Sequence, residues 1–182
     1  MTSWREATPV IFLKPPSAVI GPGEAIRLPR GSREVEAEAE LAVVMGTRTH
    51  QIEDHNALDH VFGYTVVNDV TARDYMTDGH WTRPKGYDTF CPVGPWIETE
   101  LDPRDVIVCG AVDDVMVQRG STADMVLGVA GLIAYAANIF TLEPGDLILT
   151  GSPPGRSTLA AGQLVKVSVD GIGEMTNPVQ SA

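Results

Sequence analysis

From Glu34 to Met45 the chain reads EVEAEAELAVVM: glutamates at 34, 36, 38 and 40 alternate with Val35, Ala37, Ala39 and Leu41. Alanine, glutamate and leucine are good helix formers. The period of two overrides that preference and predicts a strand, closed by Val43, Val44 and Met45 and stopped by Gly46. On a strand, residues two apart share a face at about 6.6 Å, so the glutamates form a row. Such a row usually marks a solvated strand face. Here Glu40 runs directly into LAVVM, which reads as buried on both faces. A carboxylate entering a core must be paired, protonated or metal-bound. The sequence offers no matching row of Lys or Arg, and a hard divalent cation takes oxygen ligands of this kind.

The rest of the chain is punctuated by turns. PVIFLKP reads as a strand closed by Pro15 and Pro16, and turns bracket GPGEAIRLPRG. A short helical stretch near Asp54–Val61 leads into the β-rich FGYTVVND. Residues 74–95 mix glycines and prolines with aromatics and read as a long functional loop. Strands are expected near Val106–Cys109 and Asp114–Gln118. Ser121 or Thr122 then caps a helix on which Val126, Val129, Ala130, Ile133, Ala137 and Phe140 recur. DLILTG follows the turn Glu143-Pro144-Gly145, and LVKVSV and IGEMTN flank Asp170-Gly171 as a hairpin. The expectation is one domain over residues 1–182, mainly β with a few helices, of the α+β class.

Composition removes several function classes. Lys plus Arg number 13 against 24 Asp plus Glu, a net charge of −11, and no basic run exists. Nucleic acid and anionic membranes are therefore poor partners. No apolar stretch reaches the roughly 18 residues of a membrane span, and MTSWREATPV lacks the pattern of a signal peptide. Cys91 and Cys109 are too few for a disulfide framework and read as two reduced thiols of a cytoplasmic protein.

A few residues stand out for chemistry. Asp69 lies where GYTVV gives way to NDVTARD, a place where acids commonly cap turns. Lys85, in RPKGYDTF, is a cation among aromatics and prolines, and the bland reading is a solvated loop lysine. His50, His55 and His60 have a five-residue spacing that stacks on no helical face, whereas His80 sits in the long loop. LTGSPPG lacks the lysine of a phosphate-binding loop, and no Gly-x-Ser-x-Gly elbow is present.

Taken in order, EAELAVVMG, GYTVVNDVTARD, KGYDTFCPVGPW, LEPGDLILTGSPPG and GIGEMTNPV resemble the fumarylacetoacetate hydrolase family over nearly the whole chain. The resemblance implies a distorted β-roll, usually dimeric, here a homodimer. It implies Mg²⁺ or Mn²⁺ and a small 2-oxo acid or β-dicarbonyl substrate that is cleaved, decarboxylated or isomerised through an enolate. It places the metal on Glu38, Glu40 and Asp69, makes Lys85 a catalytic, substrate-side cation, and puts Arg73 and Ser152 on the substrate side. Met76 stands where the family often has glutamine, and Ser152 where it usually has threonine. Members usually carry a His-x-x-Glu pair upstream of IFLKP, and here no histidine precedes His50. On that basis decarboxylation or keto–enol isomerisation is expected ahead of hydrolysis, with His80 as the catalytic histidine available for a relocated base. A repurposed biosynthetic isomerase or cyclase, a metal-binding partner of another chain and an inactive dimeric scaffold are the other readings.

Overall fold

The computed structural model describes residues 9–77 and 79–182; the reading of residues 1–8 as free of a signal peptide lies outside them. In chain order the elements begin with β1 (Val19–Ile20), β2 (Ile26–Leu28), β3 (Val35–Glu36) and β4 (Ala39–Met45). There follow β5 (Val61–Asn68), β6 (Thr71–Ala72), the one-turn helix α1 (Thr82–Lys85) and β7 (Cys91–Pro92). Then come β8 (Ile107–Val112), β9 (Val115–Ser121) and α2 (Val129–Ala137), and last β10 (Leu147–Leu149), β11 (Leu164–Val169) and β12 (Gly173–Ser181).

Two sheets carry the core. One has five strands in the order β2-β12-β11-β8-β9, the other three in the order β10-β4-β5, and neither closes into a barrel. Only β2 pairs in parallel within them. On β8, β11 and β12 the buried residues alternate, with Val108 and Val112, Val165, Val167 and Val169, and Met175 and Val179 turned inward. This is the pattern of antiparallel strands with one face covered. They pack on β4 and β5. Every residue of β4 is buried, because Leu41, Val43 and Met45 enter the main core while Ala42 joins Ala18, Val67 and Cys91 in a smaller cluster behind it. Truncating a side chain such as Leu41 to alanine would cost about 2–5 kcal/mol. The mainly β, α+β expectation holds, and the hairpin at Asp170-Gly171 forms as expected, with Val169 opposite Gly173.

Several local expectations are corrected. Residues 9–15 form no strand; their side chains act singly, Phe12 stacking on Trp81 at 5.4 Å between centroids and Lys14 reaching Asp69. The strand expected through residues 34–45 is broken at Ala37 and Glu38, because β3 pairs with β6 and β4 with β5. In the gap the Asp69 N–H donates to the Glu38 carbonyl (2.8 Å) and the Glu38 N–H to Asn68 Oδ1 (3.0 Å). Residues Asp54–His60 form a 3₁₀ helix. The Ser121 hydroxyl accepts the Ala123 N–H in the 3₁₀ turn Thr122–Asp124, so it does not cap α2. Val126 is 88% exposed and outside the helix. The long loop contains α1 and β7. Among the described residues no helix is long and apolar enough to cross a membrane.

Candidate metal centre

Glu38 lies in the gap between β3 and β4, Glu40 is the second residue of β4, and Asp69 follows the last residue of β5. The antiparallel register sets Ala39 opposite Asn68 and Glu40 opposite Val67, which brings the end of one strand beside the start of the other. One carboxylate oxygen from each of Glu38, Glu40 and Asp69 lies within 4.8 Å of the others. Glu36 is 3%, Glu38 9%, Glu40 3% and Asp69 1% exposed, so the solvated-face reading of the glutamate row fails for all but the half-buried Glu34.

Burying four carboxylates demands compensation, and three cations supply most of it. Lys14 Nζ donates to Asp69 Oδ1 (2.6 Å) and to the Val70 carbonyl (3.2 Å). Arg73 Nε donates to Glu36 Oε2 (2.9 Å), and its Nη2 to Glu38 Oε1 (2.6 Å). Lys85 Nζ donates to Glu38 Oε2 (2.6 Å) and to Asp69 Oδ2. The absence of a neighbouring Lys or Arg row in the sequence is therefore made good by residues from three separate segments. Lys14 was invisible to sequence reasoning; its only signal is a lone cation ending an apolar run before two prolines.

Glu40 has no cation partner among the described residues, and its Oε2 accepts the Gly151 N–H at 2.7 Å. Burial, and next the Asp69 carboxylate, hold Glu40 well above the usual carboxylate range. For Lys85, burial pushes downward, yet Asp69 and Glu38 outweigh it and raise the ammonium above its ordinary value. The centre thus has one carboxylate more than its cations balance, and its donors are hard oxygens. That donor set fits a divalent cation. No histidine or cysteine joins a metal-ligating group among the described residues.

From the loop after Asp69, Lys85 reaches two of these acids. Lys85 Nζ sits 4.8 Å from the centre of the Phe12 ring, which stacks on Trp81. Tyr87 packs against Tyr75 and Phe90, and Arg83 lies over the Tyr75 ring at 3.6 Å. Lys85 is 2% exposed, which overturns its reading as a solvated lysine. Arg73 is held among the acids, and its Nη1 meets the weak acceptor Met76 Sδ at 3.2 Å. His80 is exposed, immediately before Trp81. Ser152 is exposed and lines a cavity of ≈ 640 Å³ with Val108, Met125, Thr150, Gly151 and Pro153. That cavity shares the Gly151 segment with Glu40. Both cysteines are unpaired, and burial pushes the Cys91 thiol up to about 11.

The family described as fumarylacetoacetate (FAA) hydrolase C-terminal matches residues 2–180, and the chain belongs to that family. A solved 2-hydroxyhepta-2,4-diene-1,7-dioate isomerase from Mycobacterium marinum is 45% identical at a TM-score of 0.94, covering 96% of this chain and 70% of its own. A 5-carboxymethyl-2-hydroxymuconate delta-isomerase from Mycobacterium smegmatis is 44% identical at 0.94, with the same coverage of 96% and 70%. A maleylpyruvate hydrolase from Sphingobium sp. SYK-6 is 39% identical at 0.87, covering 94% and 64%.

Proposed function

We propose that the chain is an Mg²⁺- or Mn²⁺-dependent enzyme acting on a small 2-oxo acid or β-dicarbonyl compound by isomerisation, decarboxylation or C–C bond cleavage. One observation carries this reading: the buried Glu38, Glu40 and Asp69 cluster has the Lys85 ammonium on two of its carboxylates. A 2-oxo acid presents a carboxylate beside an oxo oxygen, which matches a hard-cation seat with a fixed ammonium next to it. The ion, when bound by the three carboxylates, supplies Lewis-acid polarisation of a carbonyl oxygen. Lys85 holds the developing enolate charge or a second carboxylate. Arg73 fixes the orientation of Glu38 and lies on the substrate side of the cluster. The stacked Phe12 and Trp81 keep water from the Lys85 side, and the Ser152 hydroxyl donates to a substrate oxygen. His80, on the same loop as Lys85, is the candidate for a relocated base in hydrolysis. The two isomerase relatives support isomerisation as the leading activity, and the family resemblance supports a cytoplasmic homodimer.

The test runs an unsaturated oxo-diacid, oxaloacetate and an acylpyruvate side by side, each with Mg²⁺ and with chelator. Metal-dependent turnover of one of the first two, lost in Glu40→Gln, is expected. Fast acylpyruvate hydrolysis lost on His80→Ala would make the protein a hydrolase. Turnover indifferent to chelator would overturn the reading.

A further inference from the structure

Gln118 is a buried polar residue that the reading above leaves unused. It lies in β9, the edge strand of the five-stranded sheet, flanked by exposed Met116 and Arg119, yet it is 2% exposed. A β-bulge turns it inward. Gly110 pairs with Gln118 while Ala111 pairs with Met116, which leaves Val117 as the extra residue. Bulges of this kind re-aim a side chain.

Turned inward, the carboxamide makes three bonds. Its Oε1 accepts the Ala39 N–H at 3.0 Å, and its Nε2 donates to the carbonyls of Pro153 (3.1 Å) and Gly155 (3.3 Å). Ala39 separates Glu38 from Glu40. Pro153 and Gly155 lie in the loop that carries Ser152 and whose Gly151 N–H holds Glu40. The fit around the amide is close. A Cβ on Gly110 would come within 2.9 Å of Gln118 Oε1, and one on Gly155 (φ 126°) would overlap the Val117 carbonyl oxygen. Backbone polar groups at such a junction need partners. One amide with an acceptor and two donors satisfies a group on each side.

We propose that Gln118 is a positioning residue that ties the Gly151–Gly155 loop to the Glu38–Glu40 segment and so places the Ser152 hydroxyl at the substrate side of the metal centre. This rests on the function proposed above. Gln118→Glu keeps the shape and the acceptor for Ala39 but loses both donors to the loop; Gln118→Met loses all three bonds. Calorimetry on the full chain would titrate first Mg²⁺ and then oxalate into wild type, both variants, Ser152→Ala and the double variants. Mg²⁺ affinity should stay within about threefold in each Gln118 variant, because all three carboxylates are retained. Oxalate affinity should fall about tenfold or more, as expected when a group is displaced by a fraction of an ångström. In the Ser152→Ala background the same substitutions should cost nothing further. Unchanged oxalate affinity, or the same loss with and without Ser152, would overturn the proposal. Failure of both variants to fold, read by melting curves, would also overturn it by assigning Gln118 to stability. Wild type that binds neither Mg²⁺ nor oxalate would instead sink the function proposed above, and this inference with it.

Discussion

Lys14 and Asp69 are 55 positions apart in sequence, and the Lys14 ammonium lies 2.6 Å from Asp69 Oδ1. Lys85 takes the other oxygen of the same carboxylate, so both oxygens of Asp69 are engaged by cations. The Lys14 side chain is 7% exposed and that of Asp69 2%, which makes this a buried ion pair. Removing one partner of such a pair typically costs about 3–5 kcal/mol, because the other charge stays buried.

Lys14→Ala should therefore destabilise the protein by about 3 kcal/mol, the lower end of that range, since Lys85 remains on Asp69. Urea denaturation measures this. Saturating Mg²⁺ should recover part of the loss by restoring positive charge beside Asp69. A variant as stable as wild type would mean that the pair contributes nothing.

Divalent metal should raise the melting temperature of wild type, because binding to the native state alone stabilises it by about 2.7 kcal/mol at a hundredfold excess over Kd. For a chain of this size each kcal/mol moves the midpoint by roughly 2–4 °C. Glu40→Gln should abolish most of the shift. It removes the one carboxylate of the three that no cation holds among the described residues. A melting curve unmoved by millimolar Mg²⁺ would argue against a preformed site.

Lys85→Ala should leave Mg²⁺ binding in place and weaken oxalate or an oxo-diacid inhibitor. A hydrogen bond to a charged group is worth about 1.5–3 kcal/mol. Competition binding at fixed Mg²⁺ gives the number, and equal affinity would return Lys85 to a structural role among Glu38 and Asp69.

The alkaline limb of stability carries a Tyr64 signature. Burial, and next Asp102, push the Tyr64 phenol from 10.0 up to about 12. Between those values the unfolded chain loses a proton that the folded chain keeps, so stability falls as pH rises. Lys85, also raised, acts with the same sign, its share being lost as pH climbs through its folded value. Tyr64→Phe should flatten part of the fall between pH 10 and 12 in urea titrations. An identical slope in the variant would show that Tyr64 does not contribute.

The sequence by itself determined some of the elements whose residues are neighbours in the chain, and it misread others, such as residues 9–15 and the start of α2. The alternation from Val35 to Met45 and the Asp170-Gly171 hairpin were legible because strand period and turn chemistry are local. The position of Glu40 at the mouth of an apolar run also marked it as a buried acid. Only the tertiary structure decided what neutralises that acid row. Lys14, Arg73 and Lys85 converge from three segments, and no local pattern records a contact made across 55, 35 or 16 positions. The same holds for the break at Ala37 and Glu38, which exists because the pairing partner changes from β6 to β5. It holds again for Gln118, whose inward turn depends on Val117, the one unpaired residue in the β8–β9 ladder. Charge compensation and ladder register are properties of the assembled sheets, so the acids were readable from the chain and their partners were not.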